Sequence, residues 1–148
     1  MQTRLFGTLI LALTLASSAA CSRGSKNPDT TGTTGTGVGV RVSQIDIGRS
    51  LAADKTISAK ADSFKPNDTI YASIATEGTA AAPATLKARW TYQDGQVVDE
   101  STQSIAPAGN ARTEFHISKP DGWPAGKYKL EVFLNGSSAG TRDVEVER

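Results

Sequence analysis

Tyr128-Lys129-Leu130-Glu131-Val132-Phe133-Leu134-Asn135-Gly136 decides the fold. Tyr128, Leu130, Val132 and Leu134 occupy alternate positions, with Lys129, Glu131 and Phe133 between them. A period of two marks a strand with one face in a core and the other in water. Asn135-Gly136 follows, and both residues tolerate positive φ, as a tight hairpin requires. The chain is therefore expected to turn back there into a strand over 140–147, with Val144 and Val146 on its apolar face.

The same period recurs upstream. Ile70, Ala72 and Ile74 alternate with Tyr71, Ser73 and Ala75. Leu86, Ala88, Trp90 and Tyr92 share one parity, as do Thr113, Phe115 and Ile117. Weaker strand patterns cover Val40–Ile47, Thr56–Ala61 and Val97–Ile105. In the first of these the parity shifts between Val42 and Ile45, which predicts a bulge. Asp94-Gly95 is a second hairpin signal, and Pro66-Asn67-Asp68, Pro107-Ala108-Gly109-Asn110 and Pro120-Asp121-Gly122 read as loops. The alanine-rich segment from Thr79 to Thr85 is too short for an independent helix and reads as a loop before a strand. About seven to eight strands at roughly ten-residue spacing predict an all-β, antiparallel sandwich, with a small barrel as the competing architecture.

Gly122-Trp123-Pro124-Ala125-Gly126-Lys127-Tyr128 resembles the Pro-x-Gly-x-Tyr step before a late strand of bacterial immunoglobulin-like domains. Trp90 stands where those domains carry their core Trp, and the two Cys of antibody domains are absent. The resemblance spans most of 40–148 and implies an immunoglobulin-like sandwich. It implies no activity, because this fold hosts many functions.

The start of the chain reads differently. Arg4 precedes an apolar run from Leu5 to Ala16, and Ser17, Ser18, Ala19 and Ala20 follow. A charged start, a short apolar stretch and small residues make an export signal over 1–20, and the run is too short to span a bilayer, which takes about 20 apolar residues. Ser18-Ala19-Ala20-Cys21 resembles the lipobox of bacterial lipoproteins, with Ser18 where that family carries Leu or another aliphatic. The resemblance implies that Cys21 is lipidated and becomes the mature amino terminus. Ser22, rather than Asp, follows it, which resembles outer-membrane sorting and places the protein in the cell envelope, facing the periplasm. The alternative is ordinary cleavage after Ala20, leaving Cys21 as a free thiol on a soluble periplasmic protein.

Residues 21–39 form the tether. Of the 18 residues after Cys21, five are Gly, five are Thr and two are Ser. This composition cannot bury enough apolar surface to order itself, and as a coil it reaches on the order of 23 Å. The domain is then 40–148.

Lys plus Arg is 16 and Asp plus Glu is 15 in 148 residues, a balance that argues against nucleic acid as partner. Cys21 and His116 are the only Cys and His, which rules out an intrachain disulfide framework and argues against a zinc site, a His-based triad and a Cys-His pair. No cofactor is expected. His116 falls on the solvent parity, and Asp99-Glu100 and the Glu145, Glu147 pair read as solvated faces. Three aromatics are candidate contacts for a ligand or partner: Trp123 in its Gly-Pro loop, Tyr71, and Phe133 on the face opposite Leu130 and Val132.

The expected function is a non-enzymatic envelope lipoprotein, held to the membrane by a lipid anchor, whose immunoglobulin-like domain binds or supports another envelope component. The alternative is a carbohydrate-binding module acting on peptidoglycan or polysaccharide. Mass analysis of the mature protein is expected to find an acylated amino-terminal Cys21, and Cys21→Ser is expected to abolish incorporation of labelled palmitate.

Overall fold

The computed structural model describes residues 39–106 and 108–148. The expected export signal, Cys21 and the expected tether up to Val38 lie outside the described residues, as does Pro107. Nine strands run through the described residues: β1 Arg41–Leu51, β2 Ile57–Lys60, β3 Ser63–Phe64, β4 Ile70–Glu77, β5 Ala84–Tyr92, β6 Gln96–Ile105, β7 Ala111–Ile117, β8 Gly126–Leu134 and β9 Ser137–Val146. They form a four-stranded sheet, β2-β1-β4-β7, and a five-stranded sheet, β3-β9-β8-β5-β6.

The alternating residues supply the core between the sheets. Ile45, Ile47, Ile70, Ala72, Ile74, Phe115 and Ile117 come from the first sheet, and Leu86, Ala88, Trp90, Tyr128, Leu130, Val132, Val144 and Val146 from the second. Their contact across the interior is the reason the two sheets face each other. Both hairpins turn through residues of positive φ. Asn135 and Gly136 lie at φ 50° and 83° between β8 and β9. Gln93 and Gly95 lie at φ 42° and 99° between β5 and β6. The predicted bulge appears in β1, whose register against β4 shifts between Val42 and Gln44.

Two features depart from the sequence reading. Nearly all strand pairs are antiparallel, but β3 pairs with β9 in parallel, Ser63 opposite Glu145 and Phe64 opposite Val146. The chain leaves the first sheet after β2 and joins the edge of the second, and a two-residue strand of this kind has no periodicity to read. Ser73, on the outward parity of β4, is fully buried. Its hydroxyl donates to the Lys55 carbonyl at 2.5 Å and accepts from Arg112 Nη1 at 3.2 Å. The β1–β2 turn thus covers that part of the outer face.

The step before β8 has a specific geometry. The Tyr128 hydroxyl, at the start of β8, donates to the Pro124 carbonyl four residues upstream at 2.8 Å. Its ring packs against Tyr92, centroids 4.8 Å apart, and edge-on against Trp123, 5.9 Å apart at 75°. Burial, and then the neighbouring Tyr92, push the Tyr128 hydroxyl above its ordinary pKa, so it stays a donor. Gly126 lies at φ 144°, and a Cβ there would meet Gln93 Nε2 at 2.8 Å and the Tyr92 ring at 2.9 Å. A Tyr at this corner and a buried Trp on the β5 strand, here Trp90, are hallmarks of one architecture. The fold is an immunoglobulin-like β-sandwich.

Tyr128→Phe keeps the ring and removes the bond, leaving the Pro124 carbonyl without the donor from Tyr128. It is expected to lower unfolding free energy by about 1–2 kcal/mol in urea titration. Gly126→Ala is expected to destabilise more, because it combines an unfavourable φ with two close approaches.

Candidate functional site: a cleft between the β6 and β7 edges

The two long sides of the sandwich close differently. On one side β1 lies against β9: the Arg142 Nε donates to the Ile45 carbonyl at 2.9 Å, and a Cβ on Gly140 would meet Ile45 at 2.8 Å. On the other side the edge strands β6 and β7 approach each other. Gln103 Nε2 donates to the Glu114 carbonyl at 2.6 Å and joins them over part of their length. Beyond that bridge the edges part. A cleft of about 700 Å³ opens between Gln96–Asp99 on one wall and His116–Lys119 on the other, with Tyr92, Trp123 and Tyr128 in its lining.

A bulge shapes the β6 wall. Trp90 pairs with Asp99 but Thr91 with Val97, so Val98 is the additional residue. Bulges re-aim side chains, and here both valines come to line the cleft. Val97 is 52% exposed and Val98 36%, and they are the exposed large hydrophobic residues among those described. Asp99 is half-buried beside them and makes no ion pair among the described residues. The opposite wall carries His116, whose Nδ1 lies 2.5 Å from Glu114 Oε1, and Lys119, which pairs with Asp121 at 3.9 Å.

Trp123 is held at the cleft by its backbone. Its N–H donates to the Pro66 carbonyl at 2.7 Å, and the preceding Gly122, at φ 80°, packs against Pro66 and Asn67. The indole is 8% exposed, and its Nε1 is buried without a hydrogen-bond partner among the described residues.

The three aromatics singled out from the sequence are not brought together. Trp123 lines the cleft. Tyr71 is half-buried on the outer face of the first sheet, paired across strands with His116, ring centroids 5.6 Å apart. Phe133 is on the outer face of the second sheet, under Lys87 Nζ at 4.7 Å and the Arg89 guanidinium at 5.1 Å. Those cations are in turn paired with Glu100, and the hydrogen bond from Arg89 holds its carboxyl below the usual range. Phe133 is thus covered within a charged layer, an arrangement that alternation alone does not reveal. The sequence reading did not single out Val97 or Val98 as contacts and read Asp99 as part of a solvated face, whereas the structure lines the cleft with all three. The signal was present in Val97-Val98, two adjacent apolar residues just after a hairpin, which cannot both point inward on a regular strand.

Catalytic parts are sparse. Glu114 orients His116, but no hydrogen bond joins the imidazole to Ser118, which lines the same cleft. Among the described residues no group of three or more His, Cys, Asp or Glu could hold a metal ion. Asp46, the most enclosed carboxylate of an ion pair, is held low against the opposing effect of burial by bonds from Lys60 and Gln44 and by the charge of Arg112; it ties strands of the first sheet together.

No family model and no curated protein matches this chain. Among solved structures, it is similar to an immunoglobulin-like protein from Pseudomonas aeruginosa, 18% identical, with a TM-score of 0.49 over 76% of this chain and 100% of that one. The alkylpurine DNA glycosylase of Pseudomonas fluorescens, bound to DNA containing an abasic site analogue, is 18% identical with a TM-score of 0.49 over 74% of this chain and 30% of the glycosylase. A CARDB domain from Pyrococcus furiosus, in complex with di-metal ions, is 12% identical with a TM-score of 0.42 over 74% and 86% of the two chains.

If the cleft valines serve contact rather than folding, the double variant Val97→Ser, Val98→Ser is expected to change unfolding free energy by less than about 0.5 kcal/mol. Trp123→Ala is expected to cost about 3 kcal/mol in the same urea titration, because it empties a buried site.

Proposed function

We propose that this chain is a non-enzymatic binding protein of the cell envelope, tethered by a lipid on Cys21, which presents its sandwich to another envelope component through the β6–β7 cleft. The observation that carries this reading is the placement of Val97 and Val98. Exposed apolar side chains gathered at one cleft mark a contact surface, whereas the same residues scattered singly would mean nothing.

The address supports it. The export signal, the lipobox-like Ser18-Ala19-Ala20-Cys21 and the Gly/Thr-rich stretch to Gly39 suit a domain held a short distance from the outer membrane, on its periplasmic side. The alternative, a glycan-binding module, draws its support from the aromatic lining. Stacking on a sugar ring needs an open aromatic face, and Trp123 at 8% exposure offers little. An apolar protein contact uses what the cleft does expose.

The test is crosslinking in intact cells from a photoreactive residue placed at position 97 or 98, followed by mass spectrometry. Capture of one recurring envelope protein, lost when the photoreactive residue is moved to the distant exposed position 58, is the expected result. Recovery of the uncrosslinked chain alone from both sites would remove the binding reading. Capture of glycan in place of protein would favour the alternative.

A further inference from the structure

The sandwich has four edge strands: β2 and β7 in one sheet, β3 and β6 in the other. An edge presents unpaired N–H and C=O groups to any strand that comes alongside, and proteins guard such edges with shortness, Pro, Lys, bulges or inward charges. β2 has four residues and β3 two. β7 has seven, carries Arg112, Glu114 and His116, and one of its outward carbonyls is taken by Gln103. β6 has ten residues, Gln96-Val97-Val98-Asp99-Glu100-Ser101-Thr102-Gln103-Ser104-Ile105, with neither Pro nor Lys nor Arg. It is the longest edge strand among the described residues; its guards are the bulge at Val98 and the inward Asp99, and from Asp99 to Ile105 it pairs with β5 in regular register, its other edge open.

Its charge is one-sided. Glu100 is already neutralised by Arg89 and Lys87 on the outer face. Asp99 faces the cleft with no ion pair among the described residues; across the cleft the Lys119 ammonium is turned to Asp121 and the His116 ring to Glu114. A strand laid along β6 would also run along the cleft mouth, because β6 is one of its walls. Alternate side chains of that strand would drop toward Val98 and Trp123, as the period of two requires.

We propose that β6 is a strand-addition site: an extended segment of a partner protein pairs with its free edge, seats an aliphatic side chain in the cleft beside Val97 and Val98, and sets a Lys or Arg against Asp99. Backbone bonds supply affinity in this mode and the alternate pockets supply selectivity. The inference rests on the cleft being the contact surface and adds the conformation and chemistry of what enters it.

The test uses the purified full chain and a fluorescein-labelled peptide of about nine residues alternating Lys and Val, the length of a strand that spans β6. Anisotropy is expected to saturate, and amide exchange over 96–105 is expected to slow. A peptide alternating Glu and Val should bind about tenfold more weakly or not at all, since it opposes Asp99. A Lys/Val peptide of equal charge with a central Pro should lose binding, because Pro cannot pair in a ladder. Val98→Lys and Asp99→Asn, both at partly exposed positions, should each weaken binding by about tenfold with the fold intact by circular dichroism. Equal binding of the Pro-containing peptide would reduce the interaction to charge attraction and overturn strand addition. Protection of 96–105 that rises with protein concentration, without peptide, would assign the edge to a second copy. A partner captured in cells from position 97 that leaves amide exchange in β6 unchanged would overturn strand addition while the cleft reading stands; slowed exchange with no captured partner would do the reverse.

Discussion

The rest of this domain depends on the hydrogen bond from the Tyr128 hydroxyl to the Pro124 carbonyl. It fixes the angle at which the chain leaves the Trp123 loop and enters β8, the central strand that carries β9 on one side and β5 on the other. Tyr128 is almost fully buried, so its ring must pack and its hydroxyl must find an acceptor. Both demands are met by its own loop and by Tyr92, whose hydroxyl donates to the Ala125 carbonyl at 3.0 Å. Gly126 is required between them because the chain passes too close to Tyr92 for a Cβ. The Pro-x-Gly-x-Tyr pattern is the covalent record of that crowding.

The same corner creates the cleft. Trp123 and Tyr128 fill the end of the sandwich from within, so the interior beneath β6 and β7 is aromatic. Those two strands are joined at Gln103 and Glu114 and separate farther along, while β1 and β9 stay in contact through Arg142. A sandwich bridged by Arg142 on one side and parted on the other offers an entrance at the parted side. The bulge at Val98 turns apolar side chains toward it, where a regular strand would have put one of the two valines on the opposite face.

Much of the architecture was legible because its cause is local. Strand parity is legible wherever one face is buried, as at Ile70–Ile74 and Tyr128–Val132. The hairpins at Asp94-Gly95 and Asn135-Gly136 and the bulge after Val42 follow from residue types that act within a few positions. What was not legible has distant causes. The β3–β9 pair depends on a chain that switches sheets and meets a strand some eighty residues away, a separation at which local pattern carries no signal. Ser73 is buried by the β1–β2 turn, and Phe133 is covered by Lys87 and Arg89 of a neighbouring strand. In both, alternation gave the face correctly but not what lay over it.

By itself, then, the sequence determined the strands other than β3, their turns, the tyrosine corner's ingredients and an expected address in the envelope. Each is set by short-range covalent order: side-chain alternation, positive-φ residues, and a short apolar leader ahead of Cys21. Only the tertiary structure decided where a partner could be held. The cleft joins Gln96–Asp99, His116–Lys119 and Trp123, three segments that the chain order separates and the packing of two sheets brings side by side. Which strands end as edges was also decided there, because an edge exists only once every other strand has found its neighbour.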